Sequence, residues 1–307
     1  MTIGRFGLRR RSYDFPPYRP PSESNSLLLR VTRGCPWNRC TFCSMYKSTK
    51  FEVRDLEEIR SDIELAKELY GDQVKTVFIG DSNSLVTKTE MLIQVLNFLY
   101  SVFPDIERVT SYGRAKTLVR KPIEDLMRIH QAGLTRLHVG LETGDRELLR
   151  EIEKGATPEE MVEGGIKAKK AGFEYSLYIL LGIGSEDRWE QHAKGSAEVL
   201  NQIDPHFIRV RTFIPQTNSP LYDALMEGRF RLTSPETILK ETKLLLEELQ
   251  VNSHFLSDHV SNLLPLHGKL PEEKEGMIQM IEDALTRFRE DGELKEEMES
   301  RRHLTNL

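Results

Sequence analysis

Strand-like and helix-like patterns alternate along the first three quarters of the chain. Short apolar runs predict six strands, at residues 26–32, 74–80, 108–112, 134–141, 173–181 and 206–213. Apolar residues spaced three and four apart follow these runs and predict helices over about 56–70, 88–103, 122–132, 157–171 and 188–201. This repetition predicts an α/β fold with a parallel sheet and right-handed crossovers, curled into a partial (βα)6 barrel.

The repeating region is flanked by two segments of different character. Residues 1–24 are rich in Arg and Pro and predict an irregular basic arm. After residue 229 no further strand pattern is found, and amphipathic helices near 235–249 and 272–289 predict a helical extension over 230–307. The barrel itself is therefore expected over residues 25–229.

Composition says less about the fold than about the possible binding partners. The net charge of −5 over 307 residues gives no overall attraction to nucleic acid or to an anionic membrane. No apolar run approaches the roughly 18 residues of a membrane helix, and no apolar stretch of a secretory signal follows the N-terminal arginines. We expect a cytoplasmic protein without membrane or nucleic-acid partners, and composition leaves its oligomeric state open.

All three cysteines lie within nine positions, in the segment Cys35-Pro-Trp-Asn-Arg-Cys40-Thr-Phe-Cys43. Three thiolates can bind three irons of a cubane 4Fe–4S cluster and leave the fourth iron open to another ligand. The alternative is a zinc site, but zinc prefers four ligands and no fourth cysteine or histidine lies near this loop. The pattern therefore favours a cluster.

Strand alternation predicts a polar barrel interior. On the strand over 134–141, Leu137 and its apolar neighbours must pack on the outer helices, which turns the opposite, polar face inward. The inward set is expected to be Arg136, His138, Gly140 and Glu142 on this strand and Arg209 and Arg211 on the sixth, joined by Tyr178 on the fifth and by Arg114 past the third. Buried arginines need partners, and two interpretations stay open: pairing within this set, or binding of a carboxylate or phosphate on a ligand.

The segment 254–262 is rich in hydrogen-bonding side chains for a connection between two helices. We interpret it as a wall or lid of the substrate cavity. An ordinary polar surface loop, or a metal site at His254, Asp258 and His259, are the alternatives.

The cysteine segment resembles the cluster-binding loop of the radical S-adenosylmethionine (SAM) superfamily, with Phe42 at the position of an aromatic residue common there. The usual family spacing is three residues between the first two cysteines, whereas residues 36–39 supply four here. Further segments over roughly residues 25–225 are similar to the branch of oxygen-independent coproporphyrinogen oxidases and Elongator-like enzymes. They include Leu137-His-Val-Gly-Leu-Glu142 and Leu181-Gly-Ile-Gly184.

The resemblance implies a set of cofactor contacts. Cys35, Cys40 and Cys43 would hold the 4Fe–4S cluster, and the glycine-containing stretch after the second strand would meet the methionyl amino group of SAM. A residue at the position of Glu142 contacts the ribose in that branch, and the loop containing Gly182 would pack on the adenine. The SAM-binding set is expected to be Gly80, Asp81, Ser82, Arg114, Glu142, Gly182 and Arg209.

The same resemblance implies an oxidoreductase that cleaves SAM reductively to a 5′-deoxyadenosyl radical. That radical would abstract hydrogen from a substrate in the lumen. The inward arginines indicate a polar, anionic small molecule as this substrate. The catalytic residues stay unknown, with the inward His138, Tyr178 and Arg211 as candidates. The electron would come from a donor such as flavodoxin or ferredoxin. Two alternatives remain: a non-catalytic protein similar to the haem chaperones related to coproporphyrinogen oxidases, and a structural zinc or iron–sulfur module.

Overall fold

The computed structural model describes residues 18–301, so most of the basic arm predicted over 1–24 lies outside the described residues. Eight strands form one sheet in the order β1-β4-β5-β6-β7-β8-β9-β10, and β2 and β3 form a separate two-stranded sheet. The strands are β1 (Leu27–Arg30), β2 (Thr32–Arg33), β3 (Glu52–Val53), β4 (Thr76–Gly80), β5 (Arg108–Gly113), β6 (Leu134–Glu142), β7 (Glu174–Leu181), β8 (Phe207–Thr212), β9 (His254–Leu256) and β10 (His267–Lys269).

Within the eight-stranded sheet, neighbouring strands from β1 to β9 pair in parallel, and β10 pairs antiparallel with β9. In the small sheet, β2 and β3 pair antiparallel. Helices connect most of the strands of the large sheet, and two more follow its last strand. They are α1 (Leu56–Tyr70), α2 (Thr89–Val102), α3 (Ala115–Arg120), α4 (Ile123–Gln131), α5 (Arg146–Glu151), α6 (Pro158–Lys170), α7 (Trp189–Ile203), α8 (Pro220–Met226), α9 (Pro235–Glu248), α10 (Lys274–Glu290) and α11 (Gly292–Arg301). The predicted partial parallel barrel is confirmed.

Local sequence determines where the long helices begin and end. Thr157 starts α6 with a capping box, in which its hydroxyl accepts from the Glu160 N–H and the Glu160 carboxylate accepts from the Thr157 N–H. Pro158 occupies the first turn, where its missing N–H costs nothing. Gly172 follows the helix at φ +101°, a conformation that an L side chain rarely adopts.

The alternation predicted for β6 is found in the structure. Leu137, Val139 and Leu141 are buried in the main core between the sheet and the outer helices. His138, on the opposite face, packs among aromatic rings inside the barrel. The lumen is therefore lined by the polar and aromatic residues of alternate strand positions.

Glu23 is buried where the barrel is closed at the N-terminal ends of its strands. Ser26 Oγ donates to its carboxylate at 2.6 Å, Arg108 Nη2 donates at 3.2 Å, and His138 Nε2 lies 3.6 Å away. Burial raises the pKa of this carboxyl, but the contacts with His138, Ser26 and Arg108 outweigh burial and lower it to about 2. Glu23 is therefore ionised although it is buried at this end of the barrel. The sequence pattern did not indicate this role.

The prediction that strands cease after residue 229 is wrong. β9 adds to β8 in parallel and β10 pairs with β9, so the C-terminal segment extends the sheet as well as adding helices. Each strand has only three residues, too few to give a readable alternation, and backbone pairing with an existing edge decides their conformation. No helix within residues 18–301 combines the length and apolar character needed to cross a membrane.

Candidate functional site

The cysteine loop begins at the edge of the sheet where the parallel strands end. Gly34 stands at φ +77°, and a Cβ there would lie 3.2 Å from the carbonyl oxygens of Thr49 and Lys50. Its N–H donates to the Asp81 carboxylate at 2.9 Å, and its carbonyl accepts from Ser82 Oγ at 3.0 Å. The residues that follow β4 therefore hold the start of the cysteine loop.

Further contacts attach the rest of the loop to the barrel. Thr41 N donates to the Ile152 carbonyl at the end of α5, and the Thr41 carbonyl accepts from Leu221 N in α8, at 3.0 and 2.9 Å. Phe42 packs against a small apolar cluster of Leu148, Ile152, Ile183 and Phe213. These anchors come from distant parts of the chain, so the loop conformation depends on the finished barrel.

The three half-buried thiols influence one another. Burial, together with neighbouring Cys40 and Cys35, raises the pKa of Cys43 to about 11, although a hydrogen bond from the Met45 backbone acts in the opposite direction. Burial also raises the pKa of Cys40, while Lys154 and Arg114 lower it. These two cations are placed to stabilise thiolates, the form that binds iron.

The donor set of the loop fits a cluster better than a single ion. Within residues 18–301 no three His, Cys, Asp or Glu side chains converge as the ligands of one metal ion would. This holds for the cysteines and for the alternative site at His254, Asp258 and His259. Ligands of a cubane bind different irons and stand further apart than ligands of one ion, so three soft thiols on one loop remain suited to a 4Fe–4S cluster.

Glu142 and Lys154 form an ion pair beside the thiols, with 2.6 Å between Oε1 and Nζ. Glu142 ends β6 at φ +64°, where the register to β7 shifts. A Cβ at Gly140 would lie 1.9 Å from Glu142 Oε1, so glycine leaves the space that the carboxylate fills. Burial lowers the pKa of Lys154, but Glu142 and Cys40 raise it more, and the lysine stays charged.

Of the four residues between Cys35 and Cys40, Trp37 and Arg39 make specific side-chain contacts. Trp37 Nε1 donates to the Glu153 carbonyl at 2.7 Å. A Cβ at Gly155 would lie 2.3 Å from the indole, so the ring packs directly on this glycine. Arg39 and Arg114 each place a guanidinium 5.2 Å from the ring centroid. The longer cysteine spacing is therefore accommodated by indole packing, and Arg114 lies near the cysteines as well.

The other predicted SAM-binding residues lie along the same edge, with contacts that sequence reasoning missed. Gly80 faces the lumen against Leu28, and the Asp81 carboxylate accepts from Arg30 Nη2 at 2.8 Å as well as from Gly34 N. Asp81 and Ser82 thus hold the start of the cysteine loop through hydrogen bonds to Gly34. Their contact with SAM stays a prediction.

Gly182, after β7, is held by the C-terminal segment. At φ +76°, it donates its N–H to the buried Glu241 carboxylate at 2.7 Å, and its carbonyl accepts from Thr233 Oγ1 at 2.8 Å. Glu241 also lies 3.4 Å from His192 Nε2. The sequence signal was available, because Glu241 interrupts the apolar stripe of α9 between Ile238 and Leu245.

Inside the lumen, His138 is fully buried with its ring centroid 5.6 Å from that of Tyr178. Burial lowers the pKa of His138 to about 4, so its ring is neutral at neutral pH. Arg209 Nη1 lies 3.4 Å from Asp258, while the Arg211 guanidinium stacks 5.0 Å from the Tyr178 ring centroid. The two arginines thus behave differently: one pairs within the protein, and the other presents its charge to the lumen.

The segment 254–262 lies against the C-terminal end of β8. Asn262 accepts from Thr212 N at 2.7 Å and donates to the Val210 carbonyl at 2.8 Å. Asp258 reaches Arg209 from this segment, and His259 Nδ1 contacts Ser261 Oγ at 2.8 Å. The segment therefore forms a side of the lumen next to both arginines.

A partial parallel barrel with three cysteines on a loop at the C-terminal edge of its strands defines a class of iron–sulfur barrel proteins. The model of the Radical SAM superfamily matches residues 29–194, more than half of the chain. The chain belongs to the radical SAM superfamily, whose members use a 4Fe–4S cluster and SAM.

Individual relatives are distant. The haem chaperone HemW of Bacillus subtilis is 20% identical over 58% of this chain and 47% of its own length. An uncharacterized methyltransferase of Pyrococcus horikoshii is 23% identical over 77% of this chain and 49% of its own length. The radical SAM coproporphyrinogen III oxidase HemN of Escherichia coli superposes with a TM-score of 0.53 at 16% identity, covering 80% of this chain and 56% of HemN. The chain spans about half the length of the curated relatives it matches, and the structural likeness shows the fold.

Proposed function

We propose that this protein is a radical SAM enzyme that abstracts hydrogen from a polar, anionic small molecule bound in the barrel lumen. The observation that carries the proposal is the cysteine loop, whose thiols lie beside Lys154 and Arg114 at the mouth of a lumen lined by Tyr178 and Arg211. When bound, the reduced cluster and SAM supply a 5′-deoxyadenosyl radical. The chain contributes binding and orientation, with buried Glu23 at the base of the lumen.

Each element of the site has a role in this proposal. Cys35, Cys40 and Cys43 would hold the cluster, and Lys154 and Arg114 would offset its negative charge. The loops containing Gly80 and Gly182, together with Glu142, would bind SAM. A low-potential protein such as flavodoxin or ferredoxin would supply the electron.

The decisive experiment is anaerobic reconstitution with iron and sulfide, followed by dithionite and SAM, with 5′-deoxyadenosine measured chromatographically. Release of 5′-deoxyadenosine from the loaded protein is expected. A fully loaded cluster that yields none, with anionic candidate substrates present, would contradict the enzyme and favour a non-catalytic protein similar to haem chaperones.

The ligand set has its own test. Cys40→Ala removes one of three thiolates and should abolish stable cluster binding, measured as iron and sulfide content after desalting. Ser44→Ala, one residue beyond Cys43, is a matched control without loss of a thiol and should retain iron. Retention of a full cluster by Cys40→Ala would refute the ligand assignment.

A further inference from the structure

The carboxylates around the lumen are each next to a cation of the protein. Asp258 lies by Arg209, Glu142 by Lys154, and Glu23 by Arg108. Glu174, at the start of β7, pairs with Arg136. These pairs leave the cation of Arg211 without a carboxylate. Within residues 18–301 its guanidinium has no ion pair and no hydrogen bond, only the stacking on Tyr178.

Other polar atoms beside Arg211 also lack partners. The hydroxyl of Tyr178, a residue only 9% exposed, is buried with no hydrogen bond in the described part of the chain. The same holds for Nε of Arg209, a residue 7% exposed on the same face of β8. Buried donors without acceptors cost free energy, of the order of 1–3 kcal/mol each, so an incoming acceptor would be stabilised.

The surroundings favour an oxyanion as that acceptor. Burial and the nearby Arg211 charge lower the pKa of His259 to about 4, so at neutral pH the positive charge here comes from the guanidinium groups of Arg209 and Arg211. Asp258 is half exposed and already 3.4 Å from Arg209. A guanidinium, a phenol O–H and a second guanidinium N–H together make a donor set suited to a carboxylate or phosphate.

We infer that Arg211, Tyr178 and Arg209 form an anion-binding subsite in the lumen that takes the carboxylate or phosphate of a small organic ligand other than SAM. This assigns Arg209, which the family resemblance places among the SAM contacts, to that ligand instead. The subsite lies between β7, β8 and the segment 254–262. Anion binding at this subsite does not depend on the proposed function. Only the further statement that the bound ligand is the substrate rests on that function.

The test uses the full chain, reconstituted anaerobically, in calorimetric titrations with inorganic phosphate and with succinate, each run without SAM and with saturating SAM. One of the two anions should bind, and which one binds distinguishes a phosphate from a carboxylate ligand. Arg211→Met should weaken that binding at least about tenfold, and Tyr178→Phe about threefold. Arg287→Met removes an exposed arginine of α10 and should leave it unchanged.

Three results would overturn the inference. They are absence of binding by both anions, equal binding by Arg211→Met, and binding that SAM abolishes, since the last would assign Arg211 to the cofactor. Circular dichroism of the variants verifies folding, and Tyr178→Phe tests the same subsite without removing a charge. Because the titration needs no turnover, anion binding without 5′-deoxyadenosine release would refute only the proposed function.

Discussion

The Asp81 carboxylate connects two parts of the site at the scale of a single residue. It pairs with Arg30, and both side chains are about 1% exposed, while it also accepts from the N–H of Gly34 at the start of the cysteine loop. Breaking a buried ion pair by removing one charge typically costs about 3–5 kcal/mol, far more than an exposed pair is worth.

We therefore expect Asp81→Asn to lower the free energy of unfolding by about 3 kcal/mol and to weaken cluster retention. The amide oxygen can still accept from Gly34 N, but it leaves the buried guanidinium of Arg30 without this charge. Urea unfolding measures the first effect and iron content after desalting the second. Asp72→Asn breaks the exposed pair with Lys67 and should change neither value; an equal loss in both variants would contradict the role given to Asp81.

At the scale of elements, the order of strands and helices could be predicted because each has enough residues to show its period. The predicted helix over 157–171 matches α6, which begins at the capping box of Thr157. The three-residue strands β9 and β10 could not be predicted, since a neighbouring strand rather than their own pattern makes them extended.

The site was predictable to a similar degree. The cysteines and the inward positions of β6 and β8 follow from spacing and alternation. The partners of the site residues do not, because Lys154 reaches Glu142 across 12 positions of the chain and Glu241 reaches Gly182 across 59. Only tertiary packing brings such pairs together.

The contact of Glu241 in α9 with Gly182 in the loop after β7 leads to a prediction about SAM affinity. If the Gly182 loop packs on SAM, Glu241→Ala should weaken SAM binding about five- to tenfold, the value of one buried hydrogen bond. Glu241→Gln keeps an oxygen acceptor for Gly182 N and should recover part of the affinity. Equilibrium dialysis of the reconstituted protein with SAM measures this affinity.

Glu248→Ala is the matched control, because Glu248 lies on the same helix with an exposed side chain. It should bind SAM as the unmodified protein does. Unchanged affinity in Glu241→Ala would mean that this loop does not contribute to SAM binding.

At the scale of the whole molecule, buried histidines make the fold sensitive to acid. Burial lowers the pKa of His192 to about 4, against an ordinary value near 6.5. The unfolded chain therefore binds more protons than the folded one between these values, and stability is lost as the pH falls through this window. His138 has a pKa lowered in the same direction by burial, so the two effects act together.

We expect the free energy of unfolding to fall between pH 7 and pH 5 by about 2 kcal/mol for each of these histidines. Replacing His192 by Gln, which has no proton to take up in this range, should reduce that fall by about 2 kcal/mol, whatever its effect at pH 7. Urea unfolding at both pH values measures the difference. His267→Gln, at an exposed position in β10, should leave the fall unchanged. If His192→Gln also leaves it unchanged, His192 does not cause the acid sensitivity.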